Sequence, residues 1–158
     1  MKDDTIWMEQ ALVEARKAAE KGEVPVGAVI VLKGAIIARG HNQPISGCNP
    51  VAHAEILTLQ AGARALGNYR LVDCELFVTL EPCTMCAGAI VHSRIRRLVY
   101  GALEPKAGAI ESVTEVLSQP QMNYRVEATG GVLADKCGQM ISDFFKQRRL
   151  QIKKAKGA

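Results

Sequence analysis

The chain predicts an α/β domain whose layers rest on a mixed sheet of five strands, and three features of the sequence predict it. Short β-branched runs alternate with stretches of helical period. The first two runs are separated by only two turn residues, which makes them an antiparallel hairpin. The later runs are joined through helical stretches, as parallel neighbours require.

Taken in order, residues 5–21 place Met8, Ala11, Leu12, Ala15, Ala18 and Ala19 on one helical stripe with charged residues largely opposite, and Gly22 closes the helix. Residues 26–32 form a nearly continuous β-branched run, Lys33-Gly34 supplies turn chemistry, and residues 35–39 resume an apolar stretch. Gly40, Pro44, Gly47 and Pro50 mark residues 40–51 as a loop. A second helix is expected over residues 53–66, ended by Gly67, and a buried strand over 75–80. The third helix is expected to open on Pro82, because a first-turn proline loses no internal hydrogen bond. Residues 97–102 and 126–129 read as the fourth and fifth strands, with a weaker helix over 110–117 between them. The last helix, over 132–149, aligns Leu133, Cys137, Ile141 and Phe144 or Phe145 on one face, and residues 150–158 are expected to fray as a basic tail.

The length fits one domain over residues 1–158, with no linker, repeat or low-complexity segment to divide it. With 48% hydrophobic and 23% charged residues, the chain lies outside the range of disordered sequences. No apolar run approaches the roughly 20 residues that span a bilayer, and the N-terminus lacks the basic-then-apolar plan of a secretory signal. A cytoplasmic location with no membrane partner is therefore expected. Cys48, Cys74, Cys83, Cys86 and Cys137 are odd in number and unevenly spaced, which argues against a disulfide framework and leaves metal binding or burial to explain them. The net charge is only +4, but it is clustered. After Asp143 no acidic residue occurs, while Lys146, Arg148, Arg149, Lys153, Lys154 and Lys156 follow, and Arg94, Arg96 and Arg97 form a second group. Such clusters attract phosphate backbones, and they equally suit a solvated helix end.

Cys83 and Cys86 lie three residues apart at the start of a predicted helix, so both thiols share one face of its first turn. Backbone N–H groups and the dipole at that end favour thiolate over thiol. A lone C-x-x-C also occurs in redox proteins and as half of a four-cysteine site, but no second pair exists here. His53, at another helix start 30 residues earlier than Cys83, is the better third ligand. A helix, a strand and a turn span that interval, which brings both helix N-termini to one edge of the sheet. One His and two Cys leave the fourth position of a tetrahedral zinc open, the mark of a catalytic site, where the pKa of water falls to near ~7. Glu55, two residues after His53, can approach that water without binding the metal and pass its proton to a ring nitrogen and a departing amine. Read singly, His53 and Glu55 suit an ordinary helix start; the joint pattern with Pro82-Cys83-x-x-Cys86 selects a hydrolytic site.

H-x-E followed by P-C-x-x-C is the signature of the zinc deaminases, and the chain resembles the bacterial tRNA-specific adenosine deaminases of the cytidine deaminase-like superfamily. The resemblance rests on Glu23-Val24-Pro25-Val26-Gly27-Ala28-Val29, Ala52-His53-Ala54-Glu55-Ile56, Asn68-Tyr69-Arg70-Leu71, the run from Val78 to Ile95, and Ser142-Asp143-Phe144-Phe145. It implies a three-layer α/β/α cytidine deaminase-like fold, one Zn2+ per subunit held by His53, Cys83 and Cys86, and Glu55 as the catalytic proton shuttle. It further implies a homodimer and, as substrate, the wobble adenosine of a tRNA anticodon stem-loop, converted to inosine; DNA is not an expected partner. Asn42, Val26 and Ala54 match positions at the family's base pocket, while Glu104, Lys106 and Phe145 match positions beside the RNA. Read alone, Asn42 is a turn residue, and Val26, Ala54 and Phe145 are core. The chain departs from the family pattern at Leu103, usually polar, and at Glu104, commonly Asp.

His53, Cys83, Cys86 and Glu55 do not by themselves choose adenine over cytosine or guanine. A free-base or nucleoside deaminase shares all four, and a zinc-stabilised RNA-binding module or a disulfide-exchange enzyme shares some of them. Cys48, Cys74 and Cys137 are expected to be uninvolved thiols, His41 and His92 to lack a second donor, and Trp7 to pack.

Overall fold

Five strands form one sheet in the order β2-β1-β3-β4-β5, with β1 at Gly27–Leu32, β2 at Ala35–His41, β3 at Glu75–Leu80, β4 at Arg97–Ala102 and β5 at Glu127–Thr129. The structure is a computed structural model that describes residues 2–157; Met1 and Ala158, the ends of the expected domain, lie outside the described residues. Lys33 and Gly34 both take positive φ, 51° and 75°, which suits a two-residue turn whose twist matches the strands it joins. β1 and β2 therefore pair antiparallel, from Leu32 against Ala35 to Gly27 against His41. β1 is also antiparallel to β3, while β3, β4 and β5 are parallel, so the sheet is mixed as the sequence predicts.

Alternation along the strands fills both faces. Ala28 and Ile30 of β1, Leu76 and Val78 of β3, and Leu98 and Tyr100 of β4 pack in one core with residues of α2 (Ala54–Leu66) and α3 (Thr84–Ser93). Val29, Val31, Phe77 and Val99, one step out of phase, pack with Met8, Ala11 and Leu12 of α1 (Lys2–Glu20) and with Cys137 of α4 (Ala134–Gly157). Strands buried on both faces read as continuous apolar runs, which explains why residues 26–32 carry no polar alternation. The three layers are thus α1 with α4, the sheet, and α2 with α3. Gly22 (φ 77°) and Gly67 (φ 65°) follow α1 and α2 in the left-handed region that a glycine enters at least cost. Among the described residues no helix is long and apolar enough to cross a membrane.

Several expectations are corrected. Residues 110–117 form turns with a short 3-10 segment at Val116–Ser118 rather than a helix. The amides of Val113 and Thr114 donate to Gly108 O and that of Val116 to Ala109 O, so they do not build the i to i−4 ladder of a helix. α3 opens at Thr84 rather than Pro82, because Cys83 keeps an extended backbone ahead of it. α4 does not fray after residue 149 but continues to Gly157, through a run in which leucine, glutamine, lysine and alanine, all good helix formers, predominate. Its expected apolar face is narrower than predicted: Leu133 precedes the helix with φ 55°, Cys137 is its only fully buried side chain, and Phe145 is exposed.

Candidate active site

The loop after β2 leads into α2, and β3 runs through Glu81-Pro82 into α3. The N-termini of both helices therefore meet at the sheet edge where β2 and β3 end. His53 and Cys83 occupy the two N-cap positions with extended backbones (φ −75°, ψ 153° and φ −79°, ψ 177°), and neither side chain caps its helix. An N-cap side chain ordinarily folds back on the first-turn amides; here the two turn toward one another. His53 Nδ1 lies 3.5 Å from Cys86 Sγ and 3.7 Å from Cys83 Sγ, and the three candidate ligand atoms fall within 4.8 Å of one another. Ordinary Zn–N and Zn–S lengths in a tetrahedron set nitrogen and sulfur ligands about 3.6 Å apart. The triangle fits zinc in size as well as in donor type.

Charge points the same way. Hydrogen bonds with Cys86 and His53 push the Cys83 thiol down to about 4. The same contact with Cys83, together with burial, pushes Cys86 up. Two adjacent sulfurs, Cys86 buried and Cys83 half-buried, resist holding two negative charges, and a cation between them lets both ionise. Glu55, on the first turn of α2, is 4% exposed. Burial, its largest influence, pushes its carboxyl up to about 7, and Cys83, His53 and Cys86 all lie close enough to act on it. A carboxyl poised near neutrality can both take up and return a proton.

Val26, Asn42 and Ala54 form a connected patch beside this group. The Asn42 amide donates to Val26 O at 3.1 Å, and Asn42 Oδ1 accepts the Ala54 amide at 2.8 Å, so the end of β2 is tied to the start of α2. Val26 and Ala54 are buried in the core that faces α2 and α3. Glu104 and Lys106 lie on the loop after β4; the Glu104 amide donates to Glu81 Oε1, and Glu104 Oε1 accepts the Lys106 amide. Phe145 is not among the residues gathered at the triangle. It sits on α4, in the layer across the sheet from α2 and α3, with its ring edge-on to Phe144 at 5.5 Å.

Sequence reasoning missed two buried carboxylates that hold the neighbouring loops. Glu23 accepts the amides of Ile45 and Ser46, and Glu81 accepts those of Glu104, Ile110, Glu111 and Ser112. The available signal was an acidic residue abutting an apolar run, Val78-Thr79-Leu80-Glu81, since a carboxylate carried on from a buried strand must find donors. His41 is not part of the triangle; its Nε2 lies 3.0 Å from Lys21 Nζ and its Nδ1 3.5 Å from Glu14 Oε1. Cys74 and Cys137 are buried and Cys48 is exposed, all three apart from the triangle.

A three-layer fold whose sheet edge presents one histidine, two cysteines and a buried glutamate defines a deaminase of the cytidine deaminase-like class. The family model of MafB19-like deaminases matches residues 2–149. The tRNA-specific adenosine deaminase of Bacillus subtilis strain 168 is 46% identical over 156 residues, which cover 99% of this chain and 97% of that protein. That of Haemophilus influenzae is 52% identical over 147 residues, covering 92% and 85%. A structure solved in a study of A-to-I editing by tRNA:A34 deaminases at the wobble position of transfer RNA matches with a TM-score of 0.84 and 48% identity, covering 86% of this chain and 99% of that one. A guanine deaminase from Nitrosomonas europaea matches with a TM-score of 0.76 and 27% identity, covering 89% and 83%. The chain belongs to the tRNA-specific adenosine deaminase family and is a hydrolytic deaminase.

Proposed function

We propose that this enzyme converts the wobble adenosine of a tRNA anticodon loop to inosine, using one zinc ion per subunit held by His53, Cys83 and Cys86. The observation that carries the proposal is the His53–Cys83–Cys86 triangle beside buried Glu55, in a chain whose relatives are tRNA-specific adenosine deaminases by name. Zinc bound in such a site supplies the Lewis acidity that makes water a nucleophile at neutral pH. Glu55 takes one proton from the attacking water and delivers it to the ring nitrogen beside the reacting carbon, then takes the second from the hydroxyl left on that carbon and delivers it to the departing amine, so that adenosine and water give inosine and ammonia.

Asn42 anchors its oxygen on Ala54, and its side-chain nitrogen has no partner among the described residues, which leaves it to the nucleotide. Val26 and Ala54 wall the base pocket. Glu104, Lys106, Phe145 and the basic turns of α4 meet the anticodon stem-loop, where a base is splayed out more cheaply than from a duplex. The functional unit is a single deaminase domain that works in the cytoplasm as a homodimer. The groove between α2 and α3, lined by Ile56, Leu59, Ala63, Tyr69 and Ala89, offers a dimer an apolar surface.

Purified protein incubated with an anticodon stem-loop is expected to yield inosine at the wobble position and nowhere else. Turnover of free guanine or cytidine with the RNA left unchanged would overturn the substrate in favour of a free-base or nucleoside.

A further inference from the structure

The loop of residues 103–112, which carries Glu104 and Lys106, hangs on one side chain. Glu81 is 2% exposed. Its Oε1 accepts the Glu104 amide at 3.0 Å and the Ser112 hydroxyl. Its Oε2 accepts the amides of Ile110, Glu111 and Ser112 at 3.1, 2.8 and 2.9 Å. Gly108 makes the enclosure possible, since a Cβ there would collide with the Glu81 carboxyl group and lie 2.6 Å from Glu104 O. On its other side Glu81 belongs to the catalytic edge: its amide donates to Ala102 O at 2.9 Å, Pro82 O accepts the Ala109 amide at 2.8 Å, and Cys83 follows.

We infer that Glu81 is a positioning residue for the RNA: it fixes Glu104 and Lys106 at a set distance from the ligand Cys83, so that an anticodon loop held by the first two presents its base to the third. The inference rests on the tRNA reading of the site. A loop that needs only to close can satisfy its amides with its own carbonyls, and burying an anion for that purpose is costly. Here Glu104 and Lys106 hang in series from one oxygen: Glu81 Oε1 holds the Glu104 amide, and Glu104 Oε1 holds the Lys106 amide at 3.0 Å. Movement of Glu81 is therefore passed to both.

The two oxygens make the test selective. In Glu81→Gln, the one remaining acceptor serves best in the place of Oε2, opposite three amides. The side-chain NH2 then faces the Glu104 amide, and donor meets donor. The variant should free Glu104 while retaining residues 110–112. Ser112→Ala removes only the hydroxyl donor.

Wild type, Glu81→Gln and Ser112→Ala, each full length and zinc-loaded, are compared for zinc per chain, for amide hydrogen exchange at residues 104 and 110–112, and for kcat and KM on an anticodon stem-loop. Glu81→Gln should keep its zinc, speed exchange at Glu104 more than at 110–112, and raise KM about tenfold with kcat changed less than about threefold. Ser112→Ala should raise KM about two- to threefold, and it carries the test should Glu81→Gln not fold. An unchanged KM in the variants, undisturbed exchange at Glu104, or zinc loss in step with activity overturns the role of Glu81 alone. Absence of RNA turnover by the wild type overturns the tRNA reading and this inference with it.

Discussion

Replacing Glu23 with alanine should loosen the loop that begins at Asn42, by an amount that depends on pH. Glu23 is fully buried, and its carboxylate accepts the amides of Ile45 at 3.3 Å and Ser46 at 2.6 Å. Each amide that loses a charged acceptor costs about 1–3 kcal/mol, and the longer, part-buried Ile45 bond belongs at the low end, so the expected loss is about 2–4 kcal/mol near neutral pH. Burial favours the neutral carboxyl of Glu23, but hydrogen bonds from Ser46 and Ile45 and the charge of Arg148 outweigh it and hold the group below its ordinary 4.5. A carboxyl depressed by folding contributes stability that is fully present above its unfolded value and is lost as pH falls through its folded value. Urea unfolding of wild type and Glu23→Ala should thus differ most near neutral pH, and the gap should narrow once pH drops below the ordinary carboxylate range. Taking the difference cancels what the two chains share, including acid release of zinc and the titration of other carboxylates. A gap under about 0.5 kcal/mol near neutral pH, or one that stays constant into acid, refutes the reasoning.

Glu55→Gln preserves shape and should keep one zinc per chain while turnover of the stem-loop falls about 10²–10⁴-fold; undiminished turnover would sink the proton shuttle. Gly27→Ala would set a Cβ against the backbone of α1, inside contact distance of Ala11 O and Ala15 N and 2.7 Å from Glu14 Cβ. Backbone cannot swing aside, so a loss of about 3 kcal/mol is expected in urea unfolding, and a neutral result would mean that α1 does not lie this close. Truncation after Arg149 removes only exposed side chains among the described residues and should change stability by less than about 0.5 kcal/mol. Stem-loop affinity should fall and become less salt-dependent as Lys153, Lys154 and Lys156 are lost; an unchanged salt slope would take these turns out of the RNA contact.

Elements whose signal is local were legible. β3 and β4 occupy 75–80 and 97–102 as the sequence predicts, because both are apolar runs bounded by charged or turn residues. The meeting of His53 with Cys83 and Cys86 was legible as well, since helix starts reached from strands that run in the same direction emerge at one edge. What stayed hidden depends on groups distant in sequence. Residues 110–117 have only a weak helical pattern, and a carboxylate some 30 residues earlier gathers the amides of 110–112 while those of Val113, Thr114 and Val116 turn back to Gly108 and Ala109. Pro82 suits a first turn, yet Cys83 must stay extended for its sulfur to face His53. Phe145 follows a sequence match, and the helix period alone could not say whether it faces core or solvent. In the structure it is 38% exposed on the far layer.

Three glutamates around the site show why residue type and burial do not fix a role. Glu23, Glu55 and Glu81 are 0%, 4% and 2% exposed, and burial pushes all three carboxyls toward the neutral form. Donors separate them. Amides from 104 and 110–112 and the Ser112 hydroxyl converge on Glu81 and hold it down at about 2 despite burial, and Ser46 and Ile45 act likewise on Glu23. Glu55 has no such nest and is pushed up to about 7. A carboxylate filled with donors is a weak base and a strong anchor, whereas one without them remains free to exchange protons. The isosteric amide tests this division. At Glu55 glutamine should remove proton transfer and leave unfolding free energy near neutral pH unchanged or raised, since it replaces a carboxyl whose charged form burial disfavours, while at Glu23 and Glu81 it turns an acceptor into a donor facing N–H groups and should cost about 1–3 kcal/mol. Equal losses of stability at all three would mean that burial rather than donor count sets their roles.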